Sequence, residues 1–328
     1  MLFLAQADVR RLLDTDRLIE ALAPAMAELS AGRVSMPARI GAEVPAAKGV
    51  LGVMPVYLPS AGSLVTKLVS VFPKNAGGPH PTHQALIVVF DPETGVPLAM
   101  MDGTLITAAR TAAGSALATR LLARPDAHVL AIVGTGVQAR AHARSIPRVR
   151  QIRRVRVAGR VEKEAARLAE ELRGELQLPA EPAKTVRAAI VGADIICTTT
   201  HSFEPAIRGE WLEPGVHVNS VGFNPEGREL DAEAVRRSRL VVESRQAALA
   251  PYPSGSNDLI WPIRDGLITA AHIHAEIGEI VSGKCPGRTS PEEITLYKSV
   301  GVAVQDAVAA RLVLEAGREQ KSGREIEL

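Results

Sequence analysis

The sequence predicts an α/β protein that joins a Rossmann-type parallel-sheet domain to an α+β domain completed by the C-terminal helix. From residue 128 onward, apolar runs alternate with helical segments, which is the pattern of a parallel sheet covered on both faces. The first of these runs stops at a glycine-containing turn, Gly134-Thr-Gly136-Val-Gln-Ala139. Before it, short extended segments are separated by Pro, Gly and Ser clusters, which predicts strands joined by turns.

The α+β domain is predicted over residues 1–113 and 302–328. Apolar residues at helical spacing predict helices, and the extended segments between turn residues predict a meandering sheet. The predicted helices cover residues 8–13, 16–29 and 107–122, and the predicted strands cover residues 39–44, 51–57, 64–71, 85–91 and 96–101.

The Rossmann-type domain is predicted over residues 114–301. Its predicted strands cover residues 128–133, 155–158, 194–199, 216–221 and 240–243, and its predicted helices cover residues 137–145, 162–172 and 185–191. The apolar spacing of residues 295–316 predicts a single amphipathic helix that returns to the first domain.

Composition excludes several classes of protein. The net charge of +2 and the aromatic content of 3% argue against a nucleic-acid partner. The two cysteines are too few for a disulfide framework or a thiolate metal site, and we predict no metal. The first eight residues turn polar before a signal peptide forms, and no apolar stretch reaches the roughly 18 residues of a spanning helix. We therefore predict a cytoplasmic protein that binds no membrane.

The glycine turn predicts a dinucleotide site because a buried strand precedes it and a helix follows it. Gly134 permits the tight turn, Gly136 lets the backbone approach a pyrophosphate, and Ala139 is small enough for the helix to pack on the sheet. The pyrophosphate is expected at the positive N-terminus of the helix that starts at Val137. An ordinary turn between a strand and a helix does not explain this whole setting.

The second strand of this domain leads into Gly159-Arg160. An enzyme that uses NAD usually has Asp or Glu here, which binds the 2′-hydroxyl of the ribose. Arg160 suits a 2′-phosphate instead, because a guanidinium binds phosphate through paired hydrogen bonds. We predict NADP(H) as the preferred cofactor and NAD(H) as the second choice; the alternative is that Arg160 is simply solvated.

Basic residues occur in the first domain where ordinary strands and helices do not need them: Arg39, Lys67, His83 and Arg110. Lys67 alternates within an apolar strand, and Arg110 is surrounded by alanines. A charge among such residues is costly unless it has a partner. Taken singly, each fits a structural ion pair or a surface position. Together they predict a pocket for a substrate carboxylate.

At these residues the chain resembles the ornithine cyclodeaminase/μ-crystallin family, and the resemblance covers nearly its whole length. The stretches that carry it are LGVMPVY at 51–57, TKLV at 66–69, PTHQ at 81–84, MDGTLITAARTAA at 101–113, GTGVQA at 134–139, GADII at 192–196, GEWLEPG at 209–215 and KSVG at 298–301.

The resemblance implies a homodimer in which the α+β domain supplies the dimer interface and half of the active site. It also implies hydride transfer between imino acids and amino acids at the α-carbon. It assigns the substrate carboxylate to Arg39, Lys67 and Arg110. It assigns the binding of the cofactor to the glycine turn Gly134–Ala139, including Val137 and Gln138, and to Thr82, Thr111 and Arg160. Near the nicotinamide it implies contacts from Thr199, Val221 and Ser299.

One departure from the family bears on the reaction. Cyclodeaminases carry an Asp that acts as acid and base for the substrate amine, and Asn224 stands at that position here. Asn has no proton to exchange near neutral pH, so it can orient a substrate but cannot act as a general base. Members similar to μ-crystallin also lack this Asp, and they are ketimine reductases.

The sequence therefore predicts an NAD(P)H-dependent reductase of a cyclic imino acid, Δ1-pyrroline-2-carboxylate or Δ1-piperideine-2-carboxylate, with proline or pipecolate as product. Lys67 is the candidate catalytic residue, as a proton relay or as an electrostatic partner of the carboxylate, and Asn224 is a candidate substrate contact. The alternatives are an ornithine cyclodeaminase that recycles NAD, an alanine-type amino-acid dehydrogenase, and a non-catalytic protein that binds a small carboxylated ligand.

Overall fold

A computed structural model of the chain describes residues 1–327. Over these residues the strands are β1 (Leu2–Leu4), β2 (Ile40–Val44), β3 (Gly49–Leu58), β4 (Ser63–Val71), β5 (His83–Phe90), β6 (Pro97–Asp102), β7 (Val129–Val133), β8 (Arg154–Ala158), β9 (Ala180–Pro182), β10 (Ile195–Thr198), β11 (His217–Ser220), β12 (Arg239–Val242), β13 (Ile273–Glu276), β14 (Thr295–Lys298) and β15 (Arg324–Glu325). The helices are α1 (Gln6–Leu12), α2 (Thr15–Ser30), α3 (Gly103–Leu122), α4 (Val137–Ser145), α5 (Glu162–Leu176), α6 (Val186–Ile190), α7 (Ala232–Arg236), α8 (Arg245–Ala248), α9 (Asn257–Arg264), α10 (Ile277–Val281) and α11 (Ala303–Glu319).

The chain divides into two compact units. Unit 1 contains Met1–Arg110 and the segment that begins at Val302, and unit 2 contains Thr111–Gly301. The first boundary falls inside α3. Among the described residues, no helix combines the length and the hydropathy needed to cross a bilayer; the cytoplasmic location stays a prediction.

Unit 1 is built on a mixed sheet of order β15-β1-β6-β5-β4-β3-β2. Strands β2 to β6 form the predicted antiparallel meander, β1 joins β6 in parallel, and β15 pairs with β1. Successive side chains of a strand point to opposite faces of a sheet. Lys67 of β4 therefore lies on the face against which α11 packs, and Leu68 lies on the other face.

The segment 295–316 was predicted as one helix, and that prediction was wrong. Its first residues form the strand β14, all four of them buried, and α11 begins at Ala303. Between them Gly301 has a φ of 75°, a left-handed conformation that glycine adopts without strain. This strand reads Thr295-Leu-Tyr-Lys298, and four residues are too few to show the period of two that would distinguish a strand from the start of a helix.

Unit 2 is built on a parallel sheet of order β13-β12-β14-β11-β10-β7-β8-β9. All of its pairings are parallel. The chain runs from β7 to β8 and β9 on one side, and then places β10 on the other side of β7. The order therefore reverses between β7 and β10, and ligands of open α/β sheets bind at such a switch point, beyond the carboxyl ends of the strands. The glycine turn follows β7 directly.

Candidate active site

Unit 1 buries a cluster of charged side chains around Asp306 of α11. The Nζ of Lys67 lies 2.8 Å from Oδ2 of Asp306, and the Nε of Arg110 lies 3.2 Å from Oδ1. Arg110 also donates from Nη1 to Oε1 of Gln305 at 2.9 Å. The side chains of Lys67, Arg110 and Asp306 are 2%, 6% and 0% exposed. One carboxylate therefore holds two of the predicted substrate-binding cations in a single buried arrangement.

Burial and neighbouring charges set the protonation of this cluster. The pKa of Lys67 is lowered to about 7, chiefly by burial; Asp306 opposes this shift, while the charges of Arg110 and Arg39 add to it. Burial would raise the pKa of Asp306, but Lys67 and Arg110 together hold it below its ordinary value. Among the described groups that act on Lys67, positive charge exceeds negative charge. A bound carboxylate would restore the balance.

His83, the first residue of β5, belongs to the same group of side chains. Burial and the charges of Lys67 and Arg110 lower its pKa to about 4, so the imidazole is neutral at neutral pH. Within residues 1–327 its ring makes no hydrogen bond or ion pair. A neutral imidazole both donates and accepts a hydrogen bond, so His83 can bind a polar ligand. The neighbouring Thr82, predicted as a cofactor contact, is exposed.

The glycine turn of unit 2 has the geometry that a bound pyrophosphate requires. Gly134 has a φ of 120°, and a Cβ on it would lie 2.5 Å from Oγ1 of Thr199. A Cβ on Gly136 would meet nothing within 4 Å, so space lies open in front of this backbone. Gly136 is also the N-cap of α4, and among the described residues no side chain caps this helix. The N–H groups of the first turn of α4 are therefore available to an anion.

The side chains of the first turn of α4 also fit a dinucleotide. Oε1 of Gln138 is buried and has no hydrogen-bond partner within residues 1–327. Such an atom is explained when a ligand satisfies it. Val137 is 67% exposed beside the turn, whereas Ala139 is fully buried. A nicotinamide dinucleotide thus fits the residues that are present.

Arg160 lies two residues beyond the end of β8, next to the glycine turn. Gly159 comes before it, and a Cβ on Gly159 would lie 2.7 Å from Cγ2 of Thr135 in the turn. Arg160 is exposed and, over the part of the chain that the structure describes, makes no ion pair. This is the position at which Rossmann domains bind the ribose nearest the glycine turn.

Three of the four remaining predicted cofactor residues of unit 2 lie directly after its central strands. Thr199, Val221 and Ser299 follow β10, β11 and β14, which are neighbours in the sheet. Their backbone N–H groups donate to the adjacent strands, those of Val221 and Ser299 at 3.1 and 2.9 Å. Thr111, on α3, is 7% exposed. The structure thus places three of these residues along one edge of the sheet.

A buried carboxylate that the sequence did not reveal holds this edge together. Oε2 of Glu229 accepts hydrogen bonds from Oγ1 of Thr198, Oγ of Ser220 at 2.9 Å and the N–H of Gly222 at 2.8 Å. Its Oε1 accepts from the N–H and Oγ1 of Thr200. Glu229 is 2% exposed. One side chain therefore fixes the residues that flank Thr199 and Val221.

Lys298 and α9 complete this support. The Nζ of Lys298 lies 2.8 Å from Oδ2 of Asp258 and donates to Oγ of Ser220 and to the carbonyl of Gly222. Oδ1 of Asp258 accepts the N–H groups of Glu229 and Leu230, both at 2.8 Å. We call Glu229, Asp258 and Lys298 the carboxyl-edge network.

Asn224 is held by its own loop. Its Nδ2 donates to the carbonyl of Ser202 at 3.0 Å, and its Oδ1 accepts the N–H of Glu226 at 2.9 Å. The amide of Asn257, at the start of α9, donates to three carbonyls of this loop at 3.0–3.1 Å, those of Asn224, Pro225 and Gly227. Both polar groups of the Asn224 side chain are therefore engaged in loop structure.

A second buried acid fixes the loop that carries Ser299. Oε1 of Glu243 accepts from Oγ of Ser299 at 2.8 Å, and Oε2 accepts the N–H groups of Val300 and Gly301 at 2.7 and 2.9 Å. The hydroxyl of Ser299 is therefore oriented by Glu243.

Sequence reasoning missed Asp306, Gln305, Glu229, Glu243 and Asp258. Asp306 had a usable signal, because it lies in the apolar stretch VAVQDAVAA in the same way that Arg110 lies among alanines. Glu229 and Asp258 lie in loop and helix-start segments without periodicity, and no comparable signal marks them.

The parallel sheet with a glycine turn at its switch point and the buried cation cluster define a two-unit α/β protein of the dinucleotide-binding class. The model of the ornithine cyclodeaminase/mu-crystallin family matches residues 1–321. The chain belongs to this family.

Several relatives are similar over their whole length. A ketimine reductase mu-crystallin of Mus musculus is 40% identical over 319 residues, 96% of each chain. A Δ1-pyrroline-2-carboxylate reductase of Bacillus cereus is 38% identical over 329 residues, 100% of each chain. The solved structure of Thermococcus litoralis Δ1-pyrroline-2-carboxylate reductase with NADH and L-proline has a TM-score of 0.96 and 40% identity, and it covers 99% of this chain and 100% of its own.

The carboxyl-edge network predicts that Glu229→Gln destabilises the protein. Glutamine offers one acceptor oxygen, and its NH₂ group would face hydroxyl and N–H donors that Glu229 now satisfies. We expect the free energy of unfolding to fall by about 1–3 kcal/mol, measured by urea denaturation. The control is Glu204→Gln, an exposed acid of a neighbouring loop, which is expected to be neutral. Equal stability of the two variants would contradict the role given to Glu229.

Proposed function

We propose that the protein is an NAD(P)H-dependent imine reductase that converts a cyclic imine with a carboxylate at C2 into the corresponding cyclic amino acid. The substrate candidates are Δ1-pyrroline-2-carboxylate and Δ1-piperideine-2-carboxylate. The buried cluster of Lys67, Arg110 and Asp306 is the observation that supports this proposal most strongly. Relatives with this activity are similar over the whole chain.

The cluster is suited to bind the carboxylate of the substrate. Arg110 uses Nε and Nη1 for Asp306 and Gln305, and within residues 1–327 its Nη2 makes no hydrogen bond. Arg39, whose charge acts on Lys67, adds a second guanidinium. A guanidinium binds a carboxylate strongly and in a defined orientation. The substrate is thereby held in one orientation, which is catalysis by positioning.

Lys67 is suited to supply a proton to the substrate nitrogen. A bound reduced nicotinamide supplies the hydride that adds to C2 of the imine. Reduction of a C=N bond also consumes a proton at nitrogen, and a pKa of about 7 lets Lys67 give a proton near neutral pH and take one up again. In the ammonium form it donates one N–H to Asp306, and its other N–H groups remain for the substrate.

Asn224 supports reduction over cyclodeamination. A cyclodeaminase needs an acid and base at this position, and the amide of Asn224 is engaged by Ser202 and Glu226. An Asp here would lose the donor to the carbonyl of Ser202. The loop is therefore suited to Asn, and the reaction proposed does not require a base at this point.

The proposal predicts that purified protein oxidises NADPH or NADH with at least one of the two cyclic imines. Lys67→Met is expected to lower kcat/KM by about 100-fold or more, because it removes both a charge and a proton donor. Cofactor binding, measured by fluorescence titration, is expected to remain unchanged. The readout is absorbance of the reduced cofactor at fixed pH.

The matched control is Lys74→Met, which removes an exposed lysine of unit 1 and is expected to leave turnover unchanged. Ornithine without added cofactor, and pyruvate with ammonia, are assayed in parallel. Release of proline and ammonia from ornithine alone would indicate a cyclodeaminase, and turnover of pyruvate alone would indicate an alanine dehydrogenase. Either result without imine reduction would overturn the proposal.

We also propose that NADP(H) is the preferred cofactor, since Arg160 is beside the glycine turn and its guanidinium makes no ion pair with any residue from 1 to 327. Arg160→Gln is expected to lower kcat/KM for NADPH by about 10–100-fold, the value of a charge-assisted contact, and to leave that for NADH unchanged. Arg153→Gln, an exposed arginine of the same basic segment, is the control. If Arg160→Gln leaves the ratio of kcat/KM for NADPH to kcat/KM for NADH unchanged, Arg160 does not bind the 2′-phosphate.

We further propose that the protein is a homodimer formed through the outer face of the unit 1 sheet. Ile40, Val53, Leu68 and Leu86 are cross-strand partners in one row on this face. Ile40 and Leu86 are 65% and 44% exposed. Soluble monomers rarely expose apolar rows of this kind, which are typical of interfaces. The solved structure of an archaeal alanine dehydrogenase, with 32% identity, is a dimer.

The dimer proposal predicts that Leu86→Asp yields a monomer, because a charge in the centre of an apolar interface is desolvated without a partner. Light scattering coupled to size-exclusion chromatography measures the mass. Val96→Asp is the control, since Val96 is 54% exposed in the turn between β5 and β6. A wild-type protein that is monomeric at micromolar concentration would contradict the proposal.

A further inference from the structure

We propose that Asp306 is a positioning residue: its two carboxylate oxygens fix Lys67 and Arg110 side by side, so that their remaining N–H groups present one binding surface to the substrate. This inference rests on the proposed function, in which Lys67 and Arg110 bind the imino acid. It concerns a residue of the C-terminal helix rather than of the strands and helix that carry the cations.

The two oxygens of Asp306 are used in a way that selects orientation. Oδ2 accepts from Lys67 at 2.8 Å and Oδ1 accepts from Arg110 Nε at 3.2 Å. The guanidinium is planar, so fixing Nε to Asp306 and Nη1 to Gln305 fixes the direction of Nη2 as well. Lys67 has no such internal rigidity, and its ammonium would sample several rotamers without this acceptor.

The cluster differs from a structural ion pair because some of its hydrogen-bond donors have no partner among residues 1–327. A buried ion pair that serves only stability is expected to satisfy its remaining donors, since an unpaired buried donor is costly. Over residues 1–327, the Nζ of Lys67 has Asp306 as its single hydrogen-bond partner, and Nη2 of Arg110 has none. The free N–H groups of Lys67 and Arg110 lie next to a carboxylate that already has its partners. A ligand with its own carboxylate would accept hydrogen bonds from these N–H groups.

The helix α11 holds Asp306 firmly in this place. Asp306 lies in the first turn of α11, where the helix dipole favours a negative charge. The surrounding residues Ala303–Ala310 of the helix are all buried. The carboxylate therefore has little freedom to move away from the cations. Because the helix fixes Asp306, it also fixes the positions of Lys67 and Arg110.

The test is the pH dependence of kcat/KM in Asp306→Asn. The charged groups that act on Lys67 are Asp306 of α11, Arg110 of α3 and Arg39 before β2. His83 of β5 belongs to the same group of side chains, but its pKa of about 4 leaves it neutral over this pH range. Asp306 is the negative member, and removing its charge lowers the pKa of Lys67 below about 7. If protonated Lys67 is required, the alkaline limb of the profile moves to lower pH by about one to three pH units.

A purely structural role gives a different result, namely a lower rate at every pH with the alkaline limb unmoved. That result would overturn the inference. Glu315→Gln is the matched control, an acid on the same helix that pairs with Arg311 at the surface; its profile is expected to match the wild type. Asp306→Glu keeps the charge but displaces it by one methylene, and we expect an unmoved limb with kcat lower by about tenfold, consistent with loss of positioning.

Asp306→Glu also covers the case in which Asp306→Asn does not fold, because it retains the charge that the buried cations require. A wild-type kcat in Asp306→Glu would show that position does not matter and would overturn the inference. The wild-type assay separates the two proposals: no turnover of either imine refutes the proposed function alone.

In that case the protonation of Lys67 is read directly. Cyanate carbamylates neutral amines, and peptide mass spectrometry measures the rate at Lys67 as a function of pH. At pH 6 only about a tenth of a lysine with a pKa of about 7 is neutral. The rate is therefore expected to be about 5-fold higher in Asp306→Asn if the pKa falls by one unit, and about tenfold higher if it falls further. Equal rates in Asp306→Asn and the wild type would refute the role of Asp306 independently of turnover.

Discussion

The cluster around Asp306 depends on one constraint: several cations share a small buried volume with one carboxylate. Burial alone would drive the proton from Lys67, and the charges of Arg39 and Arg110 act in the same direction. Asp306 keeps the pKa of Lys67 near neutrality, which is the range in which an amine both gives and takes a proton. The sheet of unit 1 and α11 are arranged so that this balance is met in the protein interior.

Unit 2 also uses buried carboxylates, but there they fix loops at the edge of the sheet. A dinucleotide needs backbone that it can approach closely, and backbone at the end of a sheet is held by few ladder bonds. Glu229 and Glu243 supply acceptors for the N–H and hydroxyl groups of this edge. The glycine turn is left open, and the loops beside it are fixed. Rigidity and access are thus provided by different residues.

Local signals predicted the fold class, the glycine turn and the basic residues of the first domain. The meander and the parallel sheet followed from period and turn residues, whereas β14 was misread because a four-residue buried strand has no period of its own. The pairing of Lys67 with Asp306 spans 239 residues, and no pattern in a single sequence reports such a contact. Glu229 shows the same limit, since its donors come from strand ends that meet only after the sheet forms.

The order of the chain has a consequence for how the protein is made. Unit 1 takes its last helix from sequence that lies beyond the whole of unit 2. During synthesis the strands of unit 1 leave the ribosome first, and Lys67 is then exposed to water and fully charged. These strands cannot pack against α11 until the rest of the chain has been made. The parallel sheet can form in the meantime, because its strands are contiguous in the chain. Closure of the charged cluster is therefore a late event in biogenesis, and the nascent chain must keep an apolar sheet face from associating prematurely until then.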